Sequence, residues 1–329
     1  MAKKIANIAP AFRRSQGRAG WPNLDGRPAR VQYAAMKNLP RCCLVLLALG
    51  TGATAPAVIL FNAGNLSTVE PPESASLPWD SIGRVTNATG TSLDGTTVHL
   101  GQGYMLTAHH VSLGGQYVTF DGTTYFQIDA GFTPVQVAAG VDLKVFRLVA
   151  VPAVAAVTLH QDSNSLNQSG YLVGWGLGRD ATALGANLVG YGAASTLAKR
   201  WGGNTVRAEQ TVNYDSYTQT GLVTYAGNAE GDYEAVMATY DSGAPFFQQF
   251  GDAWVVTGIG TSVTTIGGAG TVTFGNEPPP PAGLGDRNYY VSVSHYAGDI
   301  MAIVPEPRQA ALVFGLLLLL VFGRRRPRG

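Results

Sequence analysis

Between Trp79 and Phe274 the apolar positions fall in short runs rather than along helical faces. Thr97–Leu106 (TVHLGQGYML), Gln116–Ile128 (QYVTFDGTTYFQI), Asp142–Ala150 (DLKVFRLVA), Gly170–Gly176 (GYLVGWG) and Ala253–Gly260 (AWVVTGIG) are rich in Val, Thr, Tyr and Phe and bounded by Gly, Asn and Asp; Gly270–Gly275 (GTVTFG) is the last. β-Branched and aromatic side chains fit a pleated surface and the bounding residues suit turns, so each run predicts strand or hairpin. Many short strands without helical periodicity between them predict a sandwich or barrel, and the lack of a repeat of roughly 20–50 residues excludes a propeller or solenoid. The stretch NEPPPPAGLGD (Asn276–Asp286) holds four prolines, which remove ladder donors, and reads as a loop or insertion.

Two further apolar runs are punctuated differently. In MKNLPRCCLVLLALGTGATAPA, from Met36, Lys37 and Arg41 precede the apolar Cys42–Leu49 and small residues follow. That order of charge, apolar core and small residues reads as a secretory signal peptide over 36–57. Pro56 disfavours cleavage after Ala55 and complicates cleavage after Ala57, so the site stays open. Residues 1–35 carry seven Lys and Arg against the single acid Asp25 and have no periodic apolar face; Met36 is expected as the true start. Both cysteines, Cys42 and Cys43, fall inside the signal, so the exported product has none and its fold does not rest on disulfides.

At the other end stands VPEPRQAALVFGLLLLLVFGRRRPRG, with an apolar run from Ala310 to Phe322 followed by Arg324, Arg325, Arg326 and Arg328. At about 1.5 Å per helical residue such a run is short for a bilayer crossing, and the arginines belong on the cytoplasmic side. Pro305-Glu306-Pro307, the apolar run and the arginine cluster, in that order, closely resemble the PEP-CTERM sorting signal of Gram-negative bacteria that make extracellular polysaccharide. The resemblance implies export to the cell envelope or the exterior through the secretion machinery, transient anchoring in the bacterial inner membrane, and removal of the tail by an exosortase.

The formal charge of +1 over 329 residues hides an uneven distribution: from Pro56 to Val304 there are 8 Lys and Arg against 19 Asp and Glu, a difference of −11. An acidic body argues against a nucleic-acid partner, since phosphate binding needs a basic face.

Candidate chemistry centres on TYDSGAPFF, Thr239–Phe247, a polar turn between apolar runs. Asp, Ser, Gly and Pro are ordinary turn residues, and the stretch reads equally as a nucleophilic Ser242 presented beside backbone N–H donors. The second reading needs a base and an acid. Of His99, His109, His110, His160 and His295, only the pair in GYMLTAHHVS closes an apolar strand. Adjacent strand positions point to opposite faces, which disfavours chelation of one metal ion by His109 and His110, and no cofactor is expected. Asp142 opens the strand DLKVFRL, as a turn cap or as the acid.

Together these segments resemble the trypsin-like serine proteases: LTAHHV is similar to their Leu-Thr-Ala-Ala-His-Cys segment, VDLKVFRL to Asp-Ile-Ala-Leu-Leu-Lys-Leu, and YDSGAP to Gly-Asp-Ser-Gly-Gly-Pro. GWG (Gly174–Gly176), VVTGIG (Val255–Gly260) and RNYYVSVSHYAGDI fall in the family order, and the resemblance covers roughly Trp79 to Ile303. It implies an all-β fold of two six-stranded antiparallel barrels with a short C-terminal helix, flanked here by the signal and sorting helices. It implies a serine endopeptidase acting on polypeptides, with Ser242 as nucleophile, His110 as base, Asp142 as the orienting acid, and the backbone N–H groups of Tyr240 and Ser242 as oxyanion donors. Counting from Ser242 places Val236 at the base of the primary specificity pocket and Thr261 near its wall, which favours a neutral side chain; a slip of two residues toward Glu230, Asp232 and Glu234 would make the pocket acidic.

Two departures stand out. Tyr240 occupies the position of the family's glycine, and no Ile-Val-Gly-Gly segment precedes WDSIGRVTN to pair with Asp241. They motivate an alternative, a catalytically inactive trypsin-fold surface or matrix binding protein. The expected organisation is a basic extension (1–35), signal peptide (36–57), linker (58–78), protease domain (79–303) and sorting signal (304–329).

Overall fold

The run Thr97–Leu106, expected as strand or hairpin, is a hairpin. Gly95–Gly101 and Tyr104–Thr107 pair antiparallel around Gln102 and Gly103, at φ 51° and 80°. Two successive left-handed residues are what a tight hairpin turn needs. Gln116–Ile128 divides in the same way into Tyr117–Thr119 and Tyr125–Gln127. The computed structural model describes residues 58–61, 67–71, 76–185, 187–227, 231–275 and 285–305. The basic extension, the signal-like segment, nearly all of the sorting tail and most of the proline-rich stretch lie outside the described residues.

The chain is mostly β, with one short helix, Val293–Ile303. The first large sheet runs Tyr125–Gln127, Tyr117–Thr119, Ile82–Thr86, Gly95–Gly101, Tyr104–Thr107 and Lys144–Arg147, with Val135–Gln136 also against the last strand. Its two ends meet. Ile128 bridges Leu148, the Asp129 N–H donates to the Arg147 carbonyl at 2.8 Å, and the Val149 N–H donates to the Gln127 carbonyl at 2.9 Å. Joining the ends removes free edges, and Val85, Met105, Val118 and Phe146 fill the interior.

The second large sheet runs Arg200–Thr205, Ser169–Gly174, Pro245–Phe250, Ala253–Val263, Arg287–Ser292, Tyr217–Tyr225 and Ala208–Tyr214. It curves into a half-barrel. Among the described residues no ladder joins Arg200–Thr205 to Tyr217–Tyr225; instead the Asn204 side-chain amide spans them, donating to the carbonyls of Tyr225 at 3.0 Å and Ala235 at 2.9 Å. A small third sheet combines Arg179–Ala183, Leu188–Tyr191 and Thr271–Thr273.

Both large sheets contribute to one apolar seam. Ile82, Leu106, Leu143 and Val145 from the first pack with Val173, Phe247, Ile259 and Val291 from the second, all nearly or fully buried. Thr96 pins the seam with three hydrogen bonds: its N–H donates to the Ser242 carbonyl at 2.8 Å, its hydroxyl donates to the Tyr240 carbonyl at 3.2 Å, and that hydroxyl accepts the Trp175 N–H at 3.0 Å.

Within 58–78, expected as a linker, the described residues include several that pack on this body. Ile59–Leu60 pairs with Ala235–Val236, and Val58, Ile59 and Leu60 are fully buried. Farther along, the Ser67 carbonyl accepts the Trp201 backbone N–H and the Val69 carbonyl accepts the Trp201 indole N–H. Such docking is not legible locally, because the partners lie about 130–180 residues away in the chain.

Candidate active site

Three strand ends at the seam carry the candidate residues. Tyr104–Thr107 stops in a turn, closed by the Val111 N–H to the Ala108 carbonyl at 3.2 Å, that throws His110 out of the sheet. Asp142 lies two residues before the strand partner's first residue, Lys144 of Lys144–Arg147, so the Thr107 to Lys144 pairing places it beside that turn. Ser242 precedes Pro245–Phe250 in the other sheet. Apolar packing of the two sheets therefore brings together residues 32 and 100 positions apart.

The geometry is a continuous hydrogen-bonded chain. His110 Nε2 lies 2.8 Å from Ser242 Oγ, and Nδ1 lies 2.6 Å from Asp142 Oδ2. The His110 backbone N–H also donates to Asp142 Oδ1 at 2.8 Å. Asp142 is completely buried whereas the imidazole is about a third exposed, so one end of the chain is sealed and the other opens to solvent. The neighbouring His109 takes no part: its Nδ1 is 3.0 Å from the Tyr217 hydroxyl. Burial, and then the charge of Lys144, hold His109 below the usual histidine range.

Next to Ser242 the chain makes a turn from Ala238 to Asp241, closed by the Asp241 N–H to the Ala238 carbonyl at 3.0 Å. Tyr240, its third residue, has φ 74°, the sign that a type II turn requires there and that glycine adopts most readily. Among the described residues, the N–H groups of Tyr240 and Ser242 donate to no protein acceptor. Gly243 follows at φ 88°, where a Cβ would meet the Thr96 carbonyl oxygen at 2.0 Å, so this close crossing admits glycine alone.

The turn is anchored from below by Asp241, which is fully buried. Its carboxylate accepts N–H bonds from Gly176 at 2.7 Å and Ala238 at 2.8 Å, and a third from Val58. Even with these donors, burial pushes the Asp241 carboxyl up to about 7, while Arg200, fully buried and itself pushed down to about 8 by burial, acts on it only as a nearby charge. Val58 is a residue the sequence reading missed: its backbone N–H reaches Asp241, and Val58-Ile59-Leu60-Phe61 immediately follow Ala57 in the sequence. The available signal was the small-residue end of the signal-like segment, followed by an apolar β-prone run.

A cavity of about 250 Å³ adjoins Ser242, bordered by Tyr191, Met237, Ala238, Thr261 and Val263. Thr261 borders this cavity. Val236 does not: it pairs with Ile59, and its side chain is buried with Val189 and Val272 beneath the cavity, leaving Met237 and Ala238 as lining. Of the acidic residues considered for the pocket, Glu230 lies outside the described residues. Asp232 and Glu234 do not border the cavity; Glu234 is buried and accepts the Gly227 N–H.

No family model and no curated protein matches the chain. Among solved structures it is similar to the active form of the Rv3671c protease from M. tuberculosis, at 13% identity over 83% of this chain and 96% of that one, with a TM-score of 0.46. It is also similar to neuropsin, a serine protease expressed in the limbic system of mouse brain (14% identity, 73% and 98% coverage, TM-score 0.49). A third is the HtrA-type protease AlgW with a decapeptide (15% identity, 64% and 51% coverage, TM-score 0.42).

Proposed function

We propose that the chain is an exported serine endopeptidase of the trypsin-like, two-barrel type. The observation that carries this reading is the Ser242–His110–Asp142 chain, with hydrogen-bond distances of 2.8 Å and 2.6 Å, built from three strand ends of two sheets. A serine hydroxyl is a weak nucleophile until a neutral imidazole takes its proton. His110 Nε2 accepts that proton as Ser242 Oγ attacks the scissile carbonyl, and Asp142 holds Nδ1–H and stabilises the imidazolium. The free N–H groups of Tyr240 and Ser242 bind the developing oxyanion, a contribution of about 3 kcal/mol per donor in related chemistry. His110 then protonates the leaving amine, and water, activated by the same imidazole, releases the acyl group from Ser242.

The substrate is a polypeptide whose side chain before the cleaved bond is uncharged, since the cavity beside Ser242 is bordered by apolar and hydroxyl groups. Signal cleavage after Ala57 would turn the Val58 N–H at Asp241 into an ammonium and supply the cation that this buried carboxylate lacks in direct contact. Export, retention through the PEP-CTERM-like tail and its removal by an exosortase complete the reading.

The test is covalent labelling of the chain from Val58 to Pro305 by a fluorophosphonate, read by intact mass. Labelling of the wild type that disappears in Ser242→Ala and His110→Ala is the expected result. A folded wild type that takes no label overturns the endopeptidase reading and favours the binding-protein alternative.

A further inference from the structure

Lys144 is an unusual residue for its place: it is 8% exposed, on a strand that packs into the seam, and has no carboxylate within ion-pair distance among the described residues. Its ammonium donates to two carbonyl oxygens, that of His109 at 2.9 Å and that of Val111. These flank His110. The His109 carbonyl and the His110 N–H belong to one peptide unit, and Asp142 Oδ1 accepts that N–H at 2.8 Å. The unit entering His110 is thus gripped at both poles, by Lys144 at oxygen and Asp142 at nitrogen, and the Val111 carbonyl is gripped again by Lys144. Asp142, in the bend just before the strand, and Lys144, the first residue of that strand, both reach this turn because Lys144 pairs with Thr107, where the preceding strand ends.

Burying an ammonium is costly unless it is hydrogen-bonded and compensated by charge. Burial lowers the Lys144 pKa, and the opposite charge of Asp142 partly restores it. A methionine or leucine would fill the same space without that cost, so the cation needs a local reason. The geometry points to Lys144 as a positioning residue for the proposed reaction: with Asp142 it clamps the backbone on both sides of His110 and so fixes the direction of the imidazole toward Ser242. This inference rests on the endopeptidase reading.

The test compares full-length wild type, Lys144→Met and Lys144→Gln for melting temperature, fluorophosphonate labelling rate per folded molecule, and kcat and KM on a peptide ester. Lys144→Met removes donors and charge at similar volume. Loosening of the catalytic geometry lowers its labelling rate and kcat by about 10- to 100-fold with KM within about twofold of wild type. Lys144→Gln, which keeps an N–H donor, recovers part of the rate, and serves as the comparison if Lys144→Met does not fold. A variant that labels at the wild-type rate, or whose loss matches its unfolded fraction, overturns the assignment. A wild type that never labels overturns the endopeptidase reading instead.

Discussion

Val58 donates its backbone N–H to the buried carboxylate of Asp241, one residue before Ser242, although 183 positions separate the two in the sequence. The contact links the start of the folded chain to the turn that carries Tyr240. It also makes the charge state of Asp241 sensitive to what precedes Val58.

With an amide at Val58, the Asp241 carboxyl is raised from 3.8 to about 7 by burial. Between those values the folded chain binds a proton that the unfolded chain has released, so this group's contribution to stability is lost as pH rises through the window. A chain extended upstream of Val58 is expected to lose melting temperature from about pH 4 to 7, and Asp241→Asn to flatten the curve. A chain beginning with a free Val58 ammonium should show a smaller loss and label faster with fluorophosphonate. Identical profiles for the extended and free forms would exclude the pairing.

Tyr240 holds φ 74°, a region that costs a non-glycine residue roughly 1–2 kcal/mol. Tyr240→Gly is therefore expected to raise stability by about 1 kcal/mol while preserving labelling of Ser242, because the turn and its N–H direction suit glycine better. Denaturant titration measures the first and labelling kinetics the second. A destabilised variant would mean that the tyrosine ring contributes more than its backbone costs.

Asp142→Asn keeps the shape of the buried acid but offers a donor where His110 Nδ1–H needs an acceptor. By analogy with other Ser–His–Asp sites, the rate should fall about 10⁴-fold with the fold intact. A loss below tenfold would show that the Asp142 contact does not set the imidazole tautomer.

Met237 borders the cavity beside Ser242 where no charge is present among the described residues. Wild-type cleavage of a peptide library should favour uncharged side chains before the cut, and Met237→Asp should shift preference toward Lys and Arg. Cleavage after Lys or Arg by the wild type would place the specificity determinant elsewhere.

Much of this site was legible in short motifs. LTAHHV, VDLKVFRL and YDSGAP each combine a strand end with a polar residue, and local alternation and turn chemistry suffice to mark both. The resemblance of LTAHHV to the family's segment singles out His110 over His109, and the structure sends the two rings to different partners, Asp142 and Tyr217. The contacts that were not legible are non-local. Val236 and Met237 are neighbours in sequence, yet only pairing of Val236 with Ile59 decides which of them borders the cavity. Val58 carries no polar side chain, so nothing in its residue type announces that its backbone reaches Asp241.

The sequence by itself determined the β-rich character, the short strands and the acidic body, and its motifs marked Ser242, His110 and Asp142 as candidates through a family resemblance, because period, turn residues and motif order are local properties of the chain. The tertiary structure alone decided the clamp of Lys144 and Asp142 on the His110 backbone, the burial of Asp241 beside Val58, and the lining of the cavity. Each depends on which strand ends two sheets bring together when they bury a common apolar seam, and a backbone donor or carbonyl has no sequence signature until that burial selects its partner.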